Sequence, residues 1–254
     1  MFRTFFTTAL VALFFLTVTA ASPANALDLS SMTDEERAAF QTEVRAYLLE
    51  HPEVIMEAVA VLEQRQAEQQ SAADENLVRV NSDALFNDGY SFVGGNPNGD
   101  ITIVEFADYR CGYCRRAHPE LNELLASDGN IRLIVKEFPI LGEQSVLASR
   151  FAISTLQLAG PEKYAVVNDV LMTFRGDVSV DSLGRIAAEL GLDFEAISAR
   201  MNSDEVSKVI SDTYALGQRM QISGTPTFIL EDELLRGYLP LEAMRELVAA
   251  ARKG

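Results

Sequence analysis

The chain has 254 residues, with 21 basic against 37 acidic side chains, 48% apolar residues, two cysteines and no tryptophan. This is the composition of a folded protein, and it excludes a disordered or collagenous chain. A net charge of −16 leaves no basic surface for phosphate backbones, so the composition excludes a nucleic-acid partner and predicts that anionic ligands are steered away.

The first elements in chain order are Arg3, the Phe5-Phe6 pair, an apolar run through Val18 and the Ala24-Asn25-Ala26 cleavage signature. Residues 1–26 therefore read as a secretory signal peptide, which predicts an exported chain. The alternative is a retained membrane anchor, but Thr4, Thr7, Thr8, Thr17 and Thr19 dilute the run, and a spanning helix needs about 20 mostly apolar residues. Arg3 is the sole charge before Leu27, so cleavage leaves 20 − 37 = −17.

Residues 27–86 form a helical extension in this reading. Thr33 and Glu36 make a capping box, and Phe40, Val44, Tyr47 and Leu48 recur on one helix face. Pro52 opens a second helix whose Ile55, Val59 and Leu62 make a short heptad seam. Polar residues from Glu63 to Asn76 then predict a solvated stretch before Leu77, Val80 and Ala84 resume helical spacing. The seam predicts a self-association stalk giving a dimer or trimer; the alternative is a helical hairpin folded on its own domain.

Residues 87–254 form the second domain. Gly94 to Asp100 reads as a loop, Ile101 to Phe106 as a buried strand, Arg115 to Leu125 as a helix and Ile131 to Phe138 as a second strand. A helical insertion follows over about 143–220, divided at Gly160-Pro161, Gly176, Gly191 and Asn202-Ser203. A hairpin around Glu231-Asp232-Glu233 and a helix from Leu241 to Ala251 close the chain, giving an α/β class.

An exported chain with only Cys111 and Cys114 has no disulfide scaffold, and a bridge between them closes only a four-residue loop. The pair should therefore serve chemistry. Zinc is disfavoured because His118 could supply a third ligand but no fourth is evident. Placed between a strand and a helix, Cys111 meets unsatisfied N–H groups and a positive helix end that stabilise a thiolate. Cys111 is thus the expected nucleophile and Cys114, one turn deeper, the resolving thiol. Arg115 and Arg116 either favour the thiolate or, for at least one of them, only solvate the helix; Asp108 opposes the thiolate, and His118 reads as a surface residue.

The run Val104-Glu105-Phe106-Ala107-Asp108-Tyr109-Arg110-Cys111-Gly112-Tyr113-Cys114, the helical insertion and Gly224-Thr225-Pro226-Thr227-Phe228 together resemble the DsbA-like branch of the thioredoxin superfamily. With its N-terminal helical extension the chain is most similar to the ScsC-type members. The resemblance implies a thioredoxin fold with a helical insertion, preceded by the α-helical extension. It also implies a cis Pro226 facing the cysteines, with Thr225 offering strand-like hydrogen bonds to a substrate peptide, and Tyr113 beside it as a substrate contact. Glu105 matches the buried acid that takes the Cys114 proton, with Lys136 as its expected neighbour, and Pro119 matches the kink proline of the active-site helix.

Tyr113 and Thr225 stand where strongly oxidising members have histidine and valine, so Cys111 is expected to be less acidic than the ~3.5 extreme. The expected activity is thiol-disulfide exchange, as isomerase or reductase ahead of oxidase, with no metal or organic cofactor. The expected partners are unfolded or misoxidised exported proteins and a membrane redox partner. A non-enzymatic chaperone using the extension is the rival reading.

Overall fold

The computed structural model describes residues 30–253, and the expected signal peptide lies outside the described residues. The chain divides into two compact units, Met1–Val61 and Leu62–Gly254. In the first, α1 (Asp34–Glu50) opens on the expected capping box: Thr33 Oγ1 accepts from the Glu36 amide at 3.2 Å, and the Glu36 carboxylate accepts from the Thr33 amide at 2.8 Å. α2 (Glu53–Val80) starts just after Pro52. No residue of α1 is buried, and Phe40, Val44, Tyr47, Ile55 and Val59 are all exposed.

In the second unit, the polar part of α2 is solvated apart from Asp74, whose carboxylate accepts from both Arg236 Nη atoms at 2.6 and 2.9 Å. The helical spacing from Leu77 to Ala84 is split between two helices. Asn81 interrupts it, its side-chain amide donating to Leu77 O at 2.9 Å, and α3 (Ser82–Phe86) follows. The loop expected at Gly94-Gly95 is instead the end of β1 (Phe92–Gly95), an edge strand paired antiparallel with β3. Glycines carry no side chains to mark a pleat, so the strand has no signal in the sequence.

The elements that position the cysteines are β2 (Ile101–Ala107), α4 (Gly112–Asp128) and β3 (Ile131–Glu137). α5 (Glu143–Ala159), α6 (Pro161–Thr173), α7 (Val180–Glu189), α8 (Phe194–Met201) and α9 (Asp204–Arg219) form the insertion, and β4 (Thr227–Leu230), β5 (Glu233–Arg236) and α10 (Leu241–Ala251) close the chain. The sheet order is β1-β3-β2-β4-β5, with β2 and β3 parallel and the other pairs antiparallel.

β2 is buried on both faces, which is why its sequence is almost continuously apolar. Ile101, Ile103 and Ala107 pack with Leu121 and Leu124 of α4, while Val104 and Phe106 pack with Leu85 of α3 and Leu216 of α9. This alternation corrects the expected neighbour of Glu105. Glu105 is registered with Val135 and Phe106 with Lys136, so Lys136 shares the face of Phe106 and turns away from Glu105. There it is fully buried, its Nζ donating to Ala84 O at 2.8 Å and Asp88 Oδ2 at 2.5 Å. Lys136 ties α3 to the sheet, and removing either ionic partner strands a buried charge at a cost of about 3–5 kcal/mol.

Candidate active site

β2 ends at Ala107, and the chain turns through Asp108, Tyr109 and Arg110 before Cys111 caps α4 with extended backbone (φ −73°, ψ 119°). The turn is held by Asp108, which is fully buried and accepts from the Arg110 amide at 2.7 Å, the Leu141 amide at 3.0 Å and Ser145 Oγ at 2.8 Å. Those three donors stabilise its carboxylate in place. Its role is to fix the loop. Pro119 lies inside α4 as expected, and the helix ends at Gly129, whose φ of 72° suits a residue without Cβ.

Neither cysteine is bonded to the other in this structure. Cys111 is 7% exposed and Cys114 is fully buried. The Cys111 thiol is lowered to about 5, first by a hydrogen bond from Cys114, then by Thr225 and by the backbone N–H groups of Cys114 and Tyr113, against the opposing effect of burial. This value lies above the ~3.5 extreme, in the direction that Tyr113 in place of histidine predicts. The same Cys111 contact pushes the Cys114 thiol far up, with burial and the Glu105 carboxyl adding to the shift. The two thiols are thus differentiated by position on one helix turn.

The Thr225–Pro226 peptide is cis, and Cys111 Sγ lies 3.1 Å from Thr225 O. The structure therefore brings together Cys111, Cys114, Thr225 and Pro226 as the sequence suggested. Tyr113 is 62% exposed, stacks on Tyr238 with ring centroids 6.4 Å apart, and presents an open aromatic face at the helix start.

Glu105 sits inside, 2% exposed, and its Oε1 has no hydrogen-bond partner among the described residues. Burial raises its carboxyl to about 8, with the Glu137 and Cys111 charges adding to the rise. It lines a cavity of about 470 Å³ together with His118, Leu121, Val135, Asn168 and Asp169; neither cysteine reaches it. His118 is not the surface residue that the sequence suggested. It is buried in the wall of this cavity, Nε2 lying 2.6 Å from Asp169 Oδ1 and 3.2 Å from Asn122 Nδ2, because α6 of the insertion covers that face of α4.

The sequence also missed Glu137. Its buried carboxylate accepts from Tyr109 Oη at 2.7 Å, Tyr164 Oη at 2.5 Å and Ser149 Oγ at 2.6 Å. Burial raises it to about 7 despite those three donors. The network joins the active-site turn to β3, α5 and α6, so the insertion is fastened to the loop that carries Cys111.

A mixed five-stranded sheet flanked by helices, with a Cys-Gly-Tyr-Cys helix start and a cis-proline loop against the first cysteine, is a thioredoxin fold. Residues 87–250 match the family model described as Thioredoxin, and the chain belongs to that family. Residues 36–69 match the model for the copper resistance protein ScsC N-terminal domain, in agreement with the ScsC-type resemblance.

Among solved structures, a thioredoxin-like oxidoreductase from Silicibacter pomeroyi DSS-3 is 42% identical, with a TM-score of 0.64, covering 68% of this chain and 98% of that one. The thiol-disulfide exchange protein alpha-DsbA2 from Wolbachia pipientis is 26% identical, with a TM-score of 0.68, covering 72% and 98%. Among curated proteins, the Na(+)/H(+) antiporter NhaA 1 of Salinispora arenicola is 26% identical over 163 residues, which are 64% of this chain and 25% of the antiporter. The chain thus spans about a quarter of the length of the curated antiporters it matches. No helix among the described residues is long and apolar enough to cross a membrane.

Proposed function

We propose that this chain is a periplasmic thiol-disulfide oxidoreductase that exchanges disulfides with exported proteins, acting as isomerase or reductase. The observation that carries the reading is the differentiated thiol pair: Cys111 lowered to about 5 at the start of α4, and Cys114 fully buried and protonated beneath it. The Cys111 thiolate attacks one sulfur of a client disulfide, forming a mixed disulfide and releasing the other client sulfur as a thiolate. A different client thiolate then attacks the client sulfur of the mixed disulfide, forming a new client disulfide and releasing Cys111 as its thiolate, which is isomerisation. Alternatively Cys114 gives its proton to Glu105 and attacks Cys111 Sγ, which reduces the client and leaves Cys111–Cys114 oxidised. The electrons balance within the sulfurs, and a membrane redox partner restores the dithiol. Thr225 and Tyr113 would hold the client segment across Cys111.

A more stable thiolate favours the reduced form and makes the disulfide more oxidising. Known couples run from ~3.5 and about −120 mV to ~7 and about −270 mV. With Cys111 at about 5, this couple is expected between those limits. Equilibration with glutathione should give about −180 to −210 mV, and a value near −120 mV would assign the chain to dithiol oxidation instead.

The extension, residues 27–86, is assigned here to self-association, and residues 87–254 to exchange. Support comes from Phe40, Val44, Tyr47, Ile55 and Val59, which are exposed along α1 and the start of α2, and from the ScsC N-terminal match. Several active sites around one client raise the local thiol concentration that isomerisation needs. Light scattering should report a dimer or trimer for residues 27–254 and a monomer for residues 62–254, which keep the end of α2 and α3 that pack on the sheet. Two monomers would remove the stalk and move the oxidase reading ahead.

A further inference from the structure

The net charge of −16 predicts that acidic clients are repelled, yet arginines gather beside Cys111. Arg110, Arg115 and Arg116 flank the cysteine pair in sequence, and the Arg110 Nη1 bond to Gly176 O at 3.0 Å brings the exposed Arg175 to the same side. Burial, then the Arg110 and Arg175 guanidinium groups, hold Arg115 below the usual arginine value. On the other side, Arg116 lies over the Tyr238 ring, its Cζ 4.4 Å from the centroid, and Tyr238 stacks on the exposed Tyr113.

None of these four arginines has a carboxylate within 4.0 Å among the described residues, whereas Arg200, Arg236, Arg245 and Arg252 all do. Arg115 makes one bond, from Nε to Tyr109 O at 2.7 Å, and its Nη2 is shielded from solvent without a partner. Eight of the twelve other described arginines likewise have no carboxylate within 4.0 Å, so what sets these four apart is that they gather at one place.

Hydrogen bonding leaves the nearby acids charged, and the Asp108 charge acts on Arg115, but Asp108 is buried away from a docking segment. Asp108 is buried and saturated by three donors, and Glu120 accepts from Tyr238 Oη at 2.6 Å and the Leu241 amide at 2.7 Å. Asp177 accepts from Gln144 Nε2 at 3.4 Å, and Glu143 is exposed at the start of α5. Glu105 and Glu137 are buried. Because charges are screened over about 8–10 Å at ordinary ionic strength, a segment lying across Cys111 responds to this collar rather than to the distant acidic surface.

We propose that the collar of Arg110, Arg115, Arg175 and Arg116 is a docking surface for an extended client segment whose reacting cysteine is flanked by aspartate or glutamate. Carboxylates on one side of the cysteine meet Arg110 and Arg175, and those on the other meet Arg116. Guanidinium groups suit the task because their forked donors accept a carboxylate with both oxygens. The proposal rests on the reading of Cys111 as the exchanging thiol and adds the class of client that this thiol selects.

The test is the rate of mixed-disulfide formation between the reduced full chain and three peptide disulfides that differ only in having Glu, Gln or Lys beside the cysteine. At about 0.1 M salt the Glu peptide should react about tenfold faster than the Lys peptide, and at about 1 M, where screening shrinks to about 3 Å, the ratio should approach one. Arg175→Glu should lower the Glu-to-Lys ratio at least threefold, a ratio within one protein that a general loss of folding does not move. A wild-type ratio of one or below at low salt is the order that net charge alone demands, and it would overturn the proposal. Glutathione disulfide outrunning the Glu peptide would also overturn it, by giving the collar to small anionic thiols. If even the Gln peptide fails to react, the exchange reading falls and takes the docking surface with it.

Discussion

Cys114→Ser should convert a transient mixed disulfide into a stoichiometric, long-lived one. At pH 7, a thiol lowered to about 5 is almost entirely thiolate, so Cys111 attacks a client disulfide without waiting for a base. In the wild-type chain the adduct is cleared when Cys114 attacks Cys111 Sγ. A serine hydroxyl cannot perform that attack, and the adduct then persists until an outside thiol removes it. Cys111→Ser should give no adduct at all, because Cys114 is fully buried and, with Cys111 gone, burial and Glu105 still hold its thiol above its ordinary value. Non-reducing electrophoresis followed by peptide mass mapping reads both outcomes. Iodoacetamide labelling of the reduced wild-type chain at pH 7 should likewise mark Cys111 alone, and a label or client adduct on Cys114 would reverse the assignment of nucleophile and resolving thiol.

The parts of this site that a sequence can show are those that lie close together in the chain. Cys111 and Cys114 share one helical turn, their strand-to-helix setting is marked by the apolar run of β2, and Pro226 is flagged by its own motif. Glu137 could not be found in that way. Its three donors come from the active-site turn, α5 and α6, at positions 109, 149 and 164, and no local spacing joins them. The Lys136 expectation failed for a different reason. Which residues of two strands share a face depends on register, and register is decided by pairing, not by either strand alone. His118 looked exposed because the cover over α4 comes from Asp169 of α6, about fifty residues downstream. The arginine collar was hidden by the opposite error. Summing charge over the whole chain gave −16, which hid the gathering of Arg110, Arg115 and Arg175. Fold class follows from patterning that survives such averaging; the finer chemistry of the site depends on which distant segments are brought into contact.

Glu105→Gln is the substitution that separates proton transfer from packing. Resolution requires Cys114 to lose its proton in a place that water does not reach, and Glu105 is the buried carboxyl whose charge acts on that thiol. Raised to about 8 by burial and by Glu137, it is mostly protonated at pH 7. The resolution rate should therefore climb as pH approaches 8 and level off above it. Glutamine keeps the shape and removes the base, so resolution should slow by about 10²–10⁴ and lose that rise. The groups facing Glu105 are Glu137 of β3, Cys111 and Cys114 at the start of α4, and His118 and Asp169 across the cavity, all of which remain in the variant. Stability should move the other way. The folded-state carboxyl titrates above its unfolded value of about 4.3, so the native chain keeps a proton that the unfolded chain releases. That contribution is full below about pH 4.3 and is lost as pH rises through about 8. Glutamine has no proton to release, so the variant should lose less stability than wild type between those limits. Glu137, raised to about 7, keeps part of the slope in both proteins. Urea titrations at pH 5 and about pH 8, read beside the resolution rates, test the two halves together. Slower resolution with a flattened stability slope is the signature of a buried base. An unchanged rate and pH profile would leave Glu105 with no part in the exchange.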